Sequence, residues 1–135
     1  MEELKKFVQE WQESESGTKR AFMEIMAHLQ SMDNISFAFN ARSGVSYSLR
    51  PKHNNQKDRT LFAMADVIDD APEQRWLSVC FYGDMINDPD EMGDLIPGGL
   101  LGSDGYCFDL EEYDEEKVEY IKTRLDEAYE HAAAS

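Results

Sequence analysis

The densest set of side chains able to bind something lies between positions 50 and 59. Arg50, Lys52, His53, Lys57 and Arg59 crowd this stretch, and Asn54, Asn55 and Gln56 add amide groups among them. Guanidinium, ammonium and amide donors that converge suit a carboxylate or phosphate, because charged N–H groups and a planar fork match the geometry of an oxyanion. Arg75 supplies a further guanidinium downstream. The surrounding charge sharpens the contrast: residues 1–41 sum to −3, residues 42–59 to +4 and residues 60–135 to −16. A basic island in an acidic chain has two readings. One is a site for a small anionic ligand built from Arg50, Lys52, His53, Arg59 and Arg75. The other, which the charge asymmetry favours, is pairing with the chain's own acids.

Catalysis finds little support. The three histidines, His28, His53 and His131, are scattered, and no serine or cysteine sits in a strained nucleophile turn. With 28 acidic residues, carboxylate pairs arise from composition alone. Asp88, Asp90, Gly93 and Asp94 match four positions of a calcium-binding loop, but Met92 and Gly99 stand where a side-chain oxygen and the bidentate glutamate are needed. Gly98, Gly99 and Gly102 lack the lysine and helix start of a phosphate cradle. No metal and no cofactor is expected. Cys80 and Cys107 are too far apart for a zinc ribbon or a redox pair and fall in apolar, strand-like runs, so they are expected to be buried free thiols.

These residues must be held by elements the periodicity discloses. Leu4, Phe7, Val8 and Trp11, then Phe22, Ile25, Met26, Leu29 and Met32, keep helical spacing. Gly17 and Thr18 between them suit a C-terminal cap and a new N-cap, which makes two helices natural and leaves one kinked helix as the alternative. Period two takes over at Ile35, Phe37 and Phe39 and again at Val45, Tyr47 and Leu49, with a tight turn at Arg42–Gly44. Thr60–Asp69 reads as a central strand and Arg75–Tyr82 as its neighbour. Residues 84–104 show no sustained period and read as a long loop, anchored by Leu95, Ile96, Leu100 and Leu101, with a turn of helix at Pro89–Met92. Tyr106–Leu110 follows as a short strand. Asp114 caps a final helix whose buried stripe is Val118, Ile121, Leu125, Ala128 and Ala132.

The expected fold is α+β: one globular domain, residues 1–135, with a mainly antiparallel sheet of four or five strands in a meander. An N-terminal helical segment and a C-terminal helix pack on it. Phe37, Phe39, Leu61, Val67, Leu77, Val79, Phe81, Phe108, Ile121 and Leu125 are the expected core. In a meander, the loop after the second strand and the segment after the fourth leave the same sheet end, so 50–59 should meet 84–104, with Arg50, Arg59 and Arg75 as contacts.

The net charge of −15 repels nucleic acid and anionic membranes and draws basic partners. No stretch of about 18 apolar residues occurs to span a membrane. The N-terminus has no signal-peptide core, and a cytoplasmic location is expected. The functional expectation is a noncatalytic protein-interaction or regulatory module with a basic protein partner. The alternative is an anionic-ligand domain or enzyme with its site between the 50–59 loop and the 84–104 segment.

Overall fold

Residues 2–135 are described by the computed structural model. The amphipathic N-terminal stretch forms two helices, α1 (Glu2–Glu10) and α2 (Thr18–Gln30), because Gly17 takes a left-handed φ of 75° at their junction. A Cβ there would come within 2.9 Å of the Tyr113 Cβ, so the turn also needs the missing side chain for close approach. Thr18 does not cap α2 as expected. It is the first helical residue, and its hydroxyl donates to the Arg75 carbonyl at 2.7 Å.

Four strands follow the expected meander: β1 (Ile35–Arg42), β2 (Ser46–His53), β3 (Met64–Ile68) and β4 (Trp76–Tyr82). β3 is shorter than its apolar run, since Leu61, Phe62 and Ala63 are buried in the connection that leads into it. Beyond β4 the expectation of a loop over 84–104 is corrected. Its first part is held by a 3-10 turn at Gly83–Met85, and no helical turn forms at Pro89–Met92. Its second part is a strand, β5 (Asp94–Leu100), that turns through Leu101 and Gly102 into β6 (Ser103–Leu110). Pro97 and two glycines hide β5 from a periodicity reading, and they are tolerated because β5 is an edge strand. Leu95, Ile96 and Leu101 are exposed, and only Leu100 is buried.

The sheet therefore has six strands, ordered β1-β2-β3-β4-β6-β5, every neighbouring pair antiparallel. α1, α2 and α3 (Glu115–Ala134) lie on one face of it. Phe7 of α1 stacks on Tyr47, and Tyr120 and Tyr129 of α3 meet Phe108 and Phe62. Asp114 caps α3 by accepting from the Glu116 and Lys117 amides, and the whole expected stripe of α3 is buried. Of the expected core, only Phe37 and Phe39 stay half-buried, because they sit on edge strand β1 where the helices cover the sheet incompletely. No helix is long and apolar enough to cross a membrane among the described residues.

The cysteines overturn the free-thiol expectation. The β4–β6 register sets Cys80 opposite Cys107 with their Cα atoms 4.1 Å apart, and the two are joined as a disulfide. The physical reason is the long excursion through β5: it returns β6 alongside β4, a neighbour relation that no local spacing reveals.

Candidate functional site

The basic island does not converge. Along β2, side chains alternate between the helix-covered face and the open one. Arg50 and Lys52 go to the open face, where Arg50 Nε donates to Ser48 Oγ at 3.0 Å. His53 goes to the covered face, buried beside the Tyr129 ring, and its Nδ1 accepts from the Asn55 amide. Buried Gln56 closes the same turn, accepting from the His53 amide and donating to the Leu61 carbonyl at 2.7 Å. The loop is thus tied to itself.

Arg59 reaches the 84–104 segment as the meander logic requires. Its two terminal nitrogens donate to the two Asp84 carboxylate oxygens at 2.8 and 3.1 Å, and its guanidinium lies 3.9 Å from the Tyr82 ring centre. The hydrogen bond from Arg59 holds the Asp84 carboxyl below its ordinary range. An anion at Arg59 would have to displace this carboxylate. The pair is solvent-facing, so Arg59→Ala should change the unfolding free energy by about 1 kcal/mol or less; urea titration checks this, and a larger loss would mean that the Tyr82 contact carries structural load.

Arg75 lies at the opposite end of the sheet, at the β3–β4 turn, and points inward. Its Nε donates to buried Asp69 at 2.7 Å, and the rings of Phe7, Tyr47 and Trp11 stand 5.2 to 5.8 Å from its guanidinium. Of the five expected residues, the structure groups only Arg50 and Lys52.

A different place gathers functional groups. Where the α1–α2 turn, the β3–β4 turn and the end of β6 meet, a cleft of about 460 Å³ opens, lined by Ser14, Glu15, Ser16, Glu73, Trp76 and Glu111 among others. The Tyr113 amide donates to the Ser16 carbonyl at 2.6 Å, and the Thr18 bond to Arg75 ties the two turns together, so the walls are fixed to each other. Among the described residues, Glu15, Glu73 and Glu111 take part in no ion pair. Arg75 lines the same cleft, and its guanidinium is held by Asp69. Three exposed carboxylates and a half-buried indole can hold an incoming ammonium or guanidinium by charge pairing and ring attraction. The sequence gives no local sign of this place, because its three acids come from three separate turns.

The acidic stretch that resembled a calcium loop is used internally. The Asp88 carboxylate accepts from the Met92 and Gly93 amides and from the Tyr120 hydroxyl. Among the described residues, no group of three or more metal-binding side chains is placed to hold an ion. On the open sheet face, Asp66 is half-buried at the centre with one oxygen lacking any partner. Burial pushes its carboxyl up, and the Ser48 hydrogen bond with the charges of Arg50 and Arg42 only partly offsets this. Compared with known proteins, the chain matches no family model, no curated protein and no solved structure.

Proposed function

We propose that this chain is a noncatalytic protein-interaction module that receives a basic segment of a partner protein, with a lysine or arginine side chain seated in the cleft between Glu15, Glu73, Trp76 and Glu111. The observation that carries the reading is that these three carboxylates line one cleft with an indole and form no ion pair, while Arg75, the cation in the same lining, is held by Asp69. The net charge of −15 adds long-range attraction, which speeds encounter with a basic partner more than it tightens the final complex. The alternative, an anionic ligand or enzyme site between the 50–59 loop and the 84–104 segment, is weakened by the bidentate Arg59–Asp84 pair and by the burial of His53. The setting we propose is a compartment that leaves the Cys80–Cys107 disulfide oxidised, in place of the cytoplasm expected from the sequence.

Fluorescence anisotropy with a labelled arginine- and lysine-rich peptide tests this. Replacing Glu15, Glu73 and Glu111 together by Gln should weaken binding by about tenfold or more, whereas Glu115, Glu116 and Glu130 replaced by Gln, an equal change of net charge on α3, should weaken it by about twofold. Equal losses in the two variants would reduce the attraction to net charge and end the cleft reading.

A further inference from the structure

The helices cover one face of the sheet only. On the other, antiparallel pairing lines up side chains in rows across the strands. One row carries Ser46, Ile68 and Trp76, and Trp76 lines the cleft together with Glu111. The next carries Ser48, Asp66, Ser78 and Asp109. A third carries Met64, the disulfide and Asp94 on β5, with Arg50 on β2 just beyond its paired stretch with β3. Three properties of this surface bear on what covers it. Its β1–β2 side is basic, with Arg42, Arg50 and Lys52, while its β6–β5 side is acidic, with Asp94 and Asp109. Its middle holds Ile68 and Trp76, both half-buried, while Met64 and the disulfide are buried. Its central carboxylate, Asp66, has an oxygen with no partner.

A surface that is positive on one side and negative on the other is complementary to itself after a half-turn. An isologous dimer requires this self-complementarity. If the twofold axis lies in the interface along the strands, between β3 and β4, then β3 faces the partner's β4 and β2 faces the partner's β6. Ile68 then meets the partner's Trp76, and Arg50 approaches the partner's Asp94 and Asp109. A half-turn about an axis across the strands would instead set the basic β2 side against the partner's own β2 side, which like-charge repulsion disfavours.

We propose that the open sheet face binds a second copy of this chain, face to face about a twofold axis parallel to the central strands. This surface shares Trp76 and Glu111 with the cleft, so a second copy and a cleft ligand exclude each other at that edge, but the proposal does not depend on the cleft having a ligand. Size sets the expected strength. Six strands spaced about 4.8 Å apart, with about 3.3 Å per residue along each, give a face of roughly 500 Å² per copy, near the lower end for specific interfaces. The dimer is accordingly weak and reversible. Net repulsion between two acidic copies acts over a screening length of about 8 Å at physiological salt, so contact charges dominate there and low salt opposes the association.

Sedimentation equilibrium of the full chain at physiological salt, from micromolar to millimolar concentration, is the test. The wild type should pass from monomer to dimer mass across this range. Ile68→Asp should remain monomeric throughout while keeping its circular dichroism. Asp109→Lys should raise the dimer Kd by about tenfold, and Arg50→Glu added to it should restore affinity to within about threefold of wild type. Because Asp109 is exposed and carries no structural contact, that variant remains informative even if Ile68→Asp fails to fold. A wild type that stays monomeric at millimolar concentration overturns the proposal, and so does a charge exchange that fails to rescue. Ile68, Asp109 and Arg50 do not line the cleft, so failure here is separable from failure of peptide binding.

Discussion

Arg75→Ala is expected to lower the unfolding free energy at neutral pH by about 3–5 kcal/mol, the loss typical of breaking a buried ion pair from one side. Arg75 and Asp69 are among the least exposed charged side chains in the molecule, at 15% and 2% of their side-chain surface. Asp69 Oδ1 accepts from Arg75 Nε, and its other oxygen accepts from the Gly44 amide at 2.9 Å, so one carboxylate ties the β3–β4 turn to the β1–β2 turn. The arginine in turn lies among the rings of α1 and β2. Removing it leaves Asp69 charged and buried with only the Gly44 amide and the Tyr47 hydroxyl as partners. Arg75→Lys should lose less, retaining the charge but not the planar fork. The pH dependence follows from the carboxyl. Burial alone would push Asp69 up, but the hydrogen bonds from Arg75 and Gly44 outweigh it and hold the group below its ordinary range. An acid whose folded value is depressed stabilises the fold above its unfolded value of about 3.9 and loses that contribution as pH falls through the folded value. In Arg75→Ala burial prevails, the folded value rises, and acidification from neutral pH should narrow the gap between variant and wild type. Urea titrations at neutral pH and near pH 4 measure both effects. A loss within about 1 kcal/mol at neutral pH would mean that the pair behaves as an exposed one.

Arg75 also illustrates what the sequence discloses. Strand alternation correctly brought the loop after β2 to the segment after β4, and Arg59 does meet Asp84 there. The same alternation sends the start of β4 to the far end of the sheet, so Arg75 could not share that locus. One-sided burial made β1 to β4 and the α3 stripe legible, since Val67, Leu77, Val79, Phe81, Ile121 and Leu125 all fall where periodicity places them. β5 was hidden for the opposite reason. An exposed edge strand with Pro97, Gly98 and Gly99 buries almost nothing, and without a buried side there is no alternation to read. The cleft was hidden because Glu15, Glu73 and Glu111 become neighbours only through turn-to-turn packing, fixed by the bonds of Thr18 and Tyr113 to backbone carbonyls. The open face depends on knowing that all three helices choose the same side, which patterning of each helix alone does not specify.

Replacing Cys80 and Cys107 together by Ala is expected to cost roughly 3–4 kcal/mol, from the chain entropy released when a closed loop of this size is opened. The cross-link spans 27 residues, enclosing the 3-10 turn at Gly83–Met85, the Asp88 turn and the whole of β5. For a chain of this length the loss corresponds to a fall in Tm of roughly 10–15 °C. The damage should be local in its first stage. β5 pairs with β6 alone, so its order depends on β6 holding its place beside β4, whereas β1 to β3 lie on the other side of the sheet. Hydrogen exchange should therefore show protection lost first in 83–107 and retained in β2 and β3 under mild destabilisation. Wild type treated with a thiol reductant should follow the double variant, and intact-mass measurement without reductant should show two hydrogens fewer than the reduced chain. Two freely alkylated thiols in the unreduced native protein, together with no change in Tm on adding reductant, would show that the pair stays open in solution and would return the cytoplasm as the natural setting.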